Sequence, residues 1–111
     1  MTDTAIGPYV MGEKPSPLEY TYLDCNGVRI DLTGYSVLLR VQRTDSTSYL
    51  ELPALLSDGP NGVVAHAWTG SEFLTPGPHW LEFWAGNGVN RYASTRLRAE
   101  VRTPVGPVPS V

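Results

Sequence analysis

Residues 96–102 read Arg96-Leu97-Arg98-Ala99-Glu100-Val101-Arg102. Leu97, Ala99 and Val101 fall on one side and the charged residues on the other, the two-residue period of a strand with one dry face. Working outward, His79–Ala85 is a nearly continuous apolar run, which predicts a central strand with both faces occupied. Trp80 and Trp84 share one parity and Leu81 and Phe83 the other. With Leu81 and Phe83 in the core, both tryptophans face outward, and for large apolar groups an outward face means an interface. Gly86-Asn87-Gly88 makes the hairpin that leads into Val89–Ser94.

The same period recurs upstream. Leu18–Leu23 sets Leu18, Tyr20 and Tyr22 on one face and ends at the Asn26-Gly27 turn, after which Val28–Leu32 is expected to return as its partner strand. Ser36–Arg43 gathers Val37, Leu39 and Val41 on one side, with Leu38 breaking the alternation. Tyr49–Leu56 is interrupted by Pro53, which cannot donate to a ladder and so marks an edge strand or a bulge. After the Asp58–Gly62 turn, Val63–Trp68 aligns Val64, His66 and Trp68. Thr69–Pro78 then reads as a crossover whose Phe73 and Leu74 cap the core. Seven or eight short antiparallel strands separated by turn signals predict an all-β sandwich over residues 18–102.

Composition agrees with that fold. The 111 residues hold 11 glycines and 10 prolines, too many turn formers for a helical bundle. At 41% hydrophobic the chain can build a packed core, and at 17% charged it is not a disordered one. A net charge of −3 argues against nucleic acid as a partner. Nothing in the sequence is apolar for long enough to span a membrane, and Met1–Thr4 lacks the look of a signal peptide. The lone Cys25 excludes an intrachain disulfide and is read as turn filler. Residues 1–17 are expected to form an extended N-terminal arm, with a short edge strand around Tyr9–Met11, and 103–111 a Pro-rich tail carrying Val105 and Val108. Alone in water both ends should be mobile, so a partner surface is the expected means of ordering them.

One constellation points to a family. Asp24 and Gly27 in a turn, then Asp31-Leu32-Thr33-Gly34, Val37–Val41 with Arg40, Gly62-Val63-Val64, Trp68, Pro76-Gly77 and Trp80-Leu81-Glu82-Phe83 follow one another in order. Taken together, the series resembles the immunoglobulin-like domain of tailed-phage baseplate upper proteins and related virion accessory proteins. The resemblance covers residues 12–102. It implies an immunoglobulin-like sandwich without catalytic activity, made in the bacterial host cytoplasm and resident in the virion. Capsid, tail or baseplate subunits would be its partners, and homo-oligomers in the particle are compatible with it.

The side chains suggest no reaction. His66 and His79 lie on different strands outside any metal-ligand spacing, and no G-x-S-x-G elbow occurs. Asp58 and Glu72 could approach one another, but solvation in turns is the default for both. No cofactor and no metal are expected. Trp68, Trp80 and Trp84, with Tyr49 and Tyr92, present the alternative of a platform for a host glycan; against it, a small sandwich needs such side chains for its core. The interface residues expected from sequence are Tyr9, Trp80, Trp84, Tyr92, Val105 and Val108.

Overall fold

A computed structural model describes residues 4–111 and is all-β, two packed sheets and one short 3-10 turn. In chain order the strands are β1 (Thr4–Val10), β2 (Leu18–Thr21), β3 (Ser36–Arg43), β4 (Tyr49–Pro53), β5 (Leu55–Asp58), β6 (Val63–His66), β7 (Gly77–Gly86), β8 (Arg91–Ala93) and β9 (Leu97–Arg102). The larger sheet runs β1-β9-β7-β3-β4, with β8 also on β7; the smaller runs β2-β6-β5.

β7 is the spine. It pairs with β3 along one edge and with β9, then β8, along the other. Its burial alternates strictly: His79, Leu81, Phe83 and Ala85 face in, while Trp80, Glu82 and Trp84 face out and are half-buried. Inward residues of β3 (Leu39, Val41) and β9 (Leu97, Ala99, Val101) continue that dry face. Val64 of the smaller sheet closes over it with Tyr22, Leu32, Trp68 and Phe73. Between β8 and β9 the ladder breaks at Ser94, whose hydroxyl accepts from the Phe83 amide at 2.9 Å while its own amide donates to the Phe83 carbonyl. The polar groups freed by the break are thereby satisfied.

Pro53 does what its lack of an N–H requires. It ends β4 on the open edge of the larger sheet, and one residue later the chain resumes as β5 in the smaller sheet. A residue that cannot extend the ladder marks the step between layers.

Three expectations need correction. The 1–17 segment is not a free arm: Thr4–Val10 is a strand of the larger sheet, parallel to β9. Its Ile6 and Tyr9 pack on the core, because the outer edge of β9 would otherwise be left unpaired. Residues 18–102 hold eight strands, each antiparallel to its neighbours, as expected; β1 adds a ninth strand and the one parallel pair among the described residues. Val28–Leu32 forms only a single bridge, Leu23 to Arg29. The Ile30 amide still reaches the expected partner segment, at the Tyr22 carbonyl, but the Leu32 amide turns to the Gly59 carbonyl, and Leu32 lies in the core. Leu74 does not cap the core beside Phe73 but is 70% exposed. The C-terminal tail has no strand, and Val108 lies on Gly12, where an added Cβ would stand 2.6 Å from a valine methyl.

Candidate functional site

The outward face of the larger sheet collects the residues that have no structural need to be there. Pairing register fixes its layout. Gln42 stands between Tyr49 and Trp80, Arg40 between Glu51 and Glu82, Leu38 between Pro53 and Trp84, and Trp80 beside Arg98. Alternation therefore places two tryptophans, a tyrosine and a series of arginines on a surface away from the core.

Arginine and aromatic side chains interleave. The Arg40 guanidinium lies 4.7 Å from the Tyr49 ring centroid and 5.6 Å from that of Trp84. Arg96 and Arg98 lie 4.9 and 5.3 Å from that of Trp80. Each is within cation–π range. Carboxylates pin the arrangement: Arg40 pairs with Glu51 at 2.9 Å, Arg98 with Glu100 at 3.3 Å, and Trp84 Nε1 donates to Glu82 Oε1 at 2.7 Å. With Arg91 and Arg102 the face holds five arginines against three glutamates, on a chain whose net charge is −3. One side of the molecule is thus basic and the remainder acidic.

Two shallow depressions lie in this face, with Arg40 as the wall between them. One, of about 360 Å³, is bordered by Gln42, Tyr49, Trp80, Glu82 and Arg96. The other, of about 350 Å³, is bordered by Leu38, Trp84, Gly86 and Arg91.

The six residues expected at an interface do not form one surface. Trp80 and Trp84 share the outward face, as their parity requires. Tyr9 is turned inward onto Trp68 and Phe73, with centroids 4.8 and 5.8 Å away. Tyr92 also turns inward, 6.0 Å from Tyr35 and 6.4 Å from Tyr22. Val105 is 97% exposed on the tail, whereas Val108 sits against Gly12. The glycan platform imagined from sequence is likewise divided, since Trp68 is buried in the core while Tyr49, Trp80 and Trp84 are outside. Sequence reasoning missed Arg40 and Arg96 as ring partners; their outward strand parity was the available signal.

A second polar cluster lies inside. His66 Nδ1 donates to the Pro53 carbonyl at 2.7 Å, and Nε2 meets Glu72 Oε2 at 2.7 Å. Glu72 also accepts from the Thr69 and Gly70 amides and from the Thr69 hydroxyl. Burial alone would raise the Glu72 carboxyl, but the Thr69 amide, the His66 ring and the Thr69 hydroxyl together hold it below the usual carboxylate value. Burial pushes His79 down, and its Nδ1 donates to the Gly77 carbonyl at 3.0 Å. Glu72 is thus not the solvated turn carboxylate expected of it, whereas His79 is an inward-facing residue of β7. Arg43 binds Asp45, the Thr75 hydroxyl and the Pro76 carbonyl, which fastens the 69–76 crossover to β3. Among the described residues no group of three or more His, Cys, Asp or Glu is placed to hold a metal ion, and no helix is long and apolar enough to cross a membrane.

The fold and this face define an all-β, two-sheet module with an arginine–aromatic surface. No protein-family model matches the chain, and no curated protein matches its sequence.

Proposed function

We propose that the protein is a structural accessory of a tailed-phage particle, a non-enzymatic, immunoglobulin-like module that docks on a neighbouring virion subunit. The observation that carries this reading is the outward face of the larger sheet, where Trp80, Trp84 and Tyr49 alternate with Arg40, Arg96 and Arg98. Trp, Tyr and Arg are the residues most enriched at the energetic centres of protein interfaces. Guanidinia laid over the rings hold both in place before binding, so less side-chain entropy remains to be lost on association. The excess of arginine suits a partner that offers carboxylates between apolar side chains. Guanidinia over Trp80 also occupy ring surface that a sugar would need, which favours a protein partner over a glycan. The particle assignment draws its support from the order of sequence motifs that resembles the baseplate family.

Purified particles from the producing host provide the test. Mass spectrometry should find the wild-type chain in them, and a difference map should place its Trp80–Trp84 face against another subunit. A chain missing from particles, or one bound in them through the smaller sheet, would overturn the proposal. Binding to host polysaccharide in place of particle subunits would move the assignment to a glycan-binding module.

A further inference from the structure

The chain contains three Asn-Gly steps, Asn26-Gly27, Asn61-Gly62 and Asn87-Gly88, and the asparagine of each is exposed. Asparagine before glycine is open to attack by the glycine backbone nitrogen on the side-chain amide carbon. We propose that the fold directs this chemistry to Asn87, making it a self-modification site that acquires a carboxylate without an enzyme.

Two features separate Asn87 from the others. The first is the nucleophile. The Gly27 and Gly62 amides each donate at 3.0 Å to a carbonyl within their own turn, that of Asp24 and that of Gly59. Either must leave that bond before its nitrogen can react. The Gly88 amide donates to no acceptor among the described residues. The second feature is the electrophile. Asn87 Oδ1 accepts from the Val89 amide at 2.9 Å and from the Asn90 amide at 2.7 Å. Those two donors polarise the side-chain carbonyl and stand where negative charge develops as its carbon becomes tetrahedral, the arrangement of an oxyanion hole. Asn61 has the reverse environment: its Nδ2 donates to the Asp58 carboxylate at 2.8 Å, which places negative charge beside the reacting amide.

The steps balance with water as the only co-reactant. Hydroxide takes the Gly88 amide proton, and the nitrogen forms a bond to Asn87 Cγ. The Cγ–Nδ2 bond then breaks, and the amide leaves as ammonia after gaining a proton from water. The resulting five-membered succinimide is opened by water at either carbonyl, giving aspartate or isoaspartate. The new carboxylate lies at the tip of the hairpin beside Gly86 and Arg91, which border the depression next to Trp84. It therefore adds negative charge to the margin of the arginine-rich face. Asn87 chemistry does not depend on the docking proposal.

Incubating the full-length protein at mildly alkaline pH, with peptide mapping by mass spectrometry over time, tests this directly. In the native protein Asn87 should convert at least about tenfold faster than Asn26 or Asn61, a modest part of the ~100-fold that one oxyanion donor supplies in an enzyme. In concentrated urea, where each asparagine keeps only its glycine neighbour, the three rates should become comparable. Native rates at Asn26 or Asn61 that match Asn87 would overturn the proposal, as would a lead of Asn87 that persists in urea.

Discussion

His66 Nε2 and Glu72 Oε2 stand 2.7 Å apart, with each side chain only 1% exposed. The contact joins β6 to the 69–76 crossover, and through His66 Nδ1 it also reaches Pro53, where the chain changes sheets. Three separate segments meet on one imidazole. Trp68, 5.5 Å from that ring, and Phe73, 5.8 Å from Trp68, are the core residues this junction holds in position.

Removing Glu72 should therefore be costly. Glu72→Ala leaves the buried His66 ring without its partner and the Thr69 and Gly70 amides without their acceptor, and breaking a buried pair in this way costs about 3–5 kcal/mol. Glu72→Gln keeps one acceptor oxygen and should lose less. Urea unfolding of both variants checks the order, since an alanine variant as stable as the wild type would mean that the crossover is held elsewhere.

The same carboxylate sets an acid limit. Its folded-state pKa is depressed, so folding favours the ionised form. The stability it contributes is present above the unfolded carboxyl value near 4.5 and is lost as pH falls through the lower folded value. Thermal melts should show stability dropping below that unfolded value, with a shallower drop in Glu72→Gln. Identical acid profiles for the two proteins would assign the drop to other carboxylates.

β1 makes the N-terminus part of the fold. Deleting residues 1–10 removes Tyr9 from Trp68 and Phe73 and uncovers the edge of β9. Loss of a packed aromatic alone costs roughly 3–5 kcal/mol, much of the 5–15 kcal/mol that stabilises a typical domain. Circular dichroism melts should show a large fall in Tm or no cooperative transition. Deleting residues 104–111, by contrast, removes little beyond the Val108 contact with Gly12 and should cost less than about 1 kcal/mol.

How far the sequence could be read differs by element. Strict alternation made β9 legible, because one side of it is dry, and residue parity gave the two faces of β7. The expectation that both of those faces would be covered did not hold, since Trp80, Glu82 and Trp84 remain half-buried. Pro53 was legible too, since a missing N–H has few places to go. β1 was not, because Gly7 and Pro8 interrupt its pattern and its partner β9 lies about 90 residues away in sequence. Glu72 was hidden as well. Its burial depends on two amides, a hydroxyl and an imidazole that converge only in the folded crossover, and no spacing encodes that convergence. The outward tryptophans followed from parity alone, but the arginines laid over them follow from which strands are neighbours.

The docking face leads to the last prediction. Trp80 carries two guanidinia and borders a depression, yet it is only half-buried and faces away from the core. Trp80→Ala should thus cost the isolated protein about 1–2 kcal/mol, from two cation–π contacts and some apolar area. At an interface a central tryptophan contributes at least about 2 kcal/mol, roughly a 30-fold loss of affinity. Leu55→Ala removes a more exposed apolar residue from the smaller sheet and should leave particle binding unchanged. Melting curves and quantitative occupancy of particles, measured together on the two variants, separate the effects. If Trp80→Ala were to destabilise the fold yet occupy particles as the wild type does, the outward aromatic stripe would be a stabilising cover for β7, and docking would have to be sought on another face.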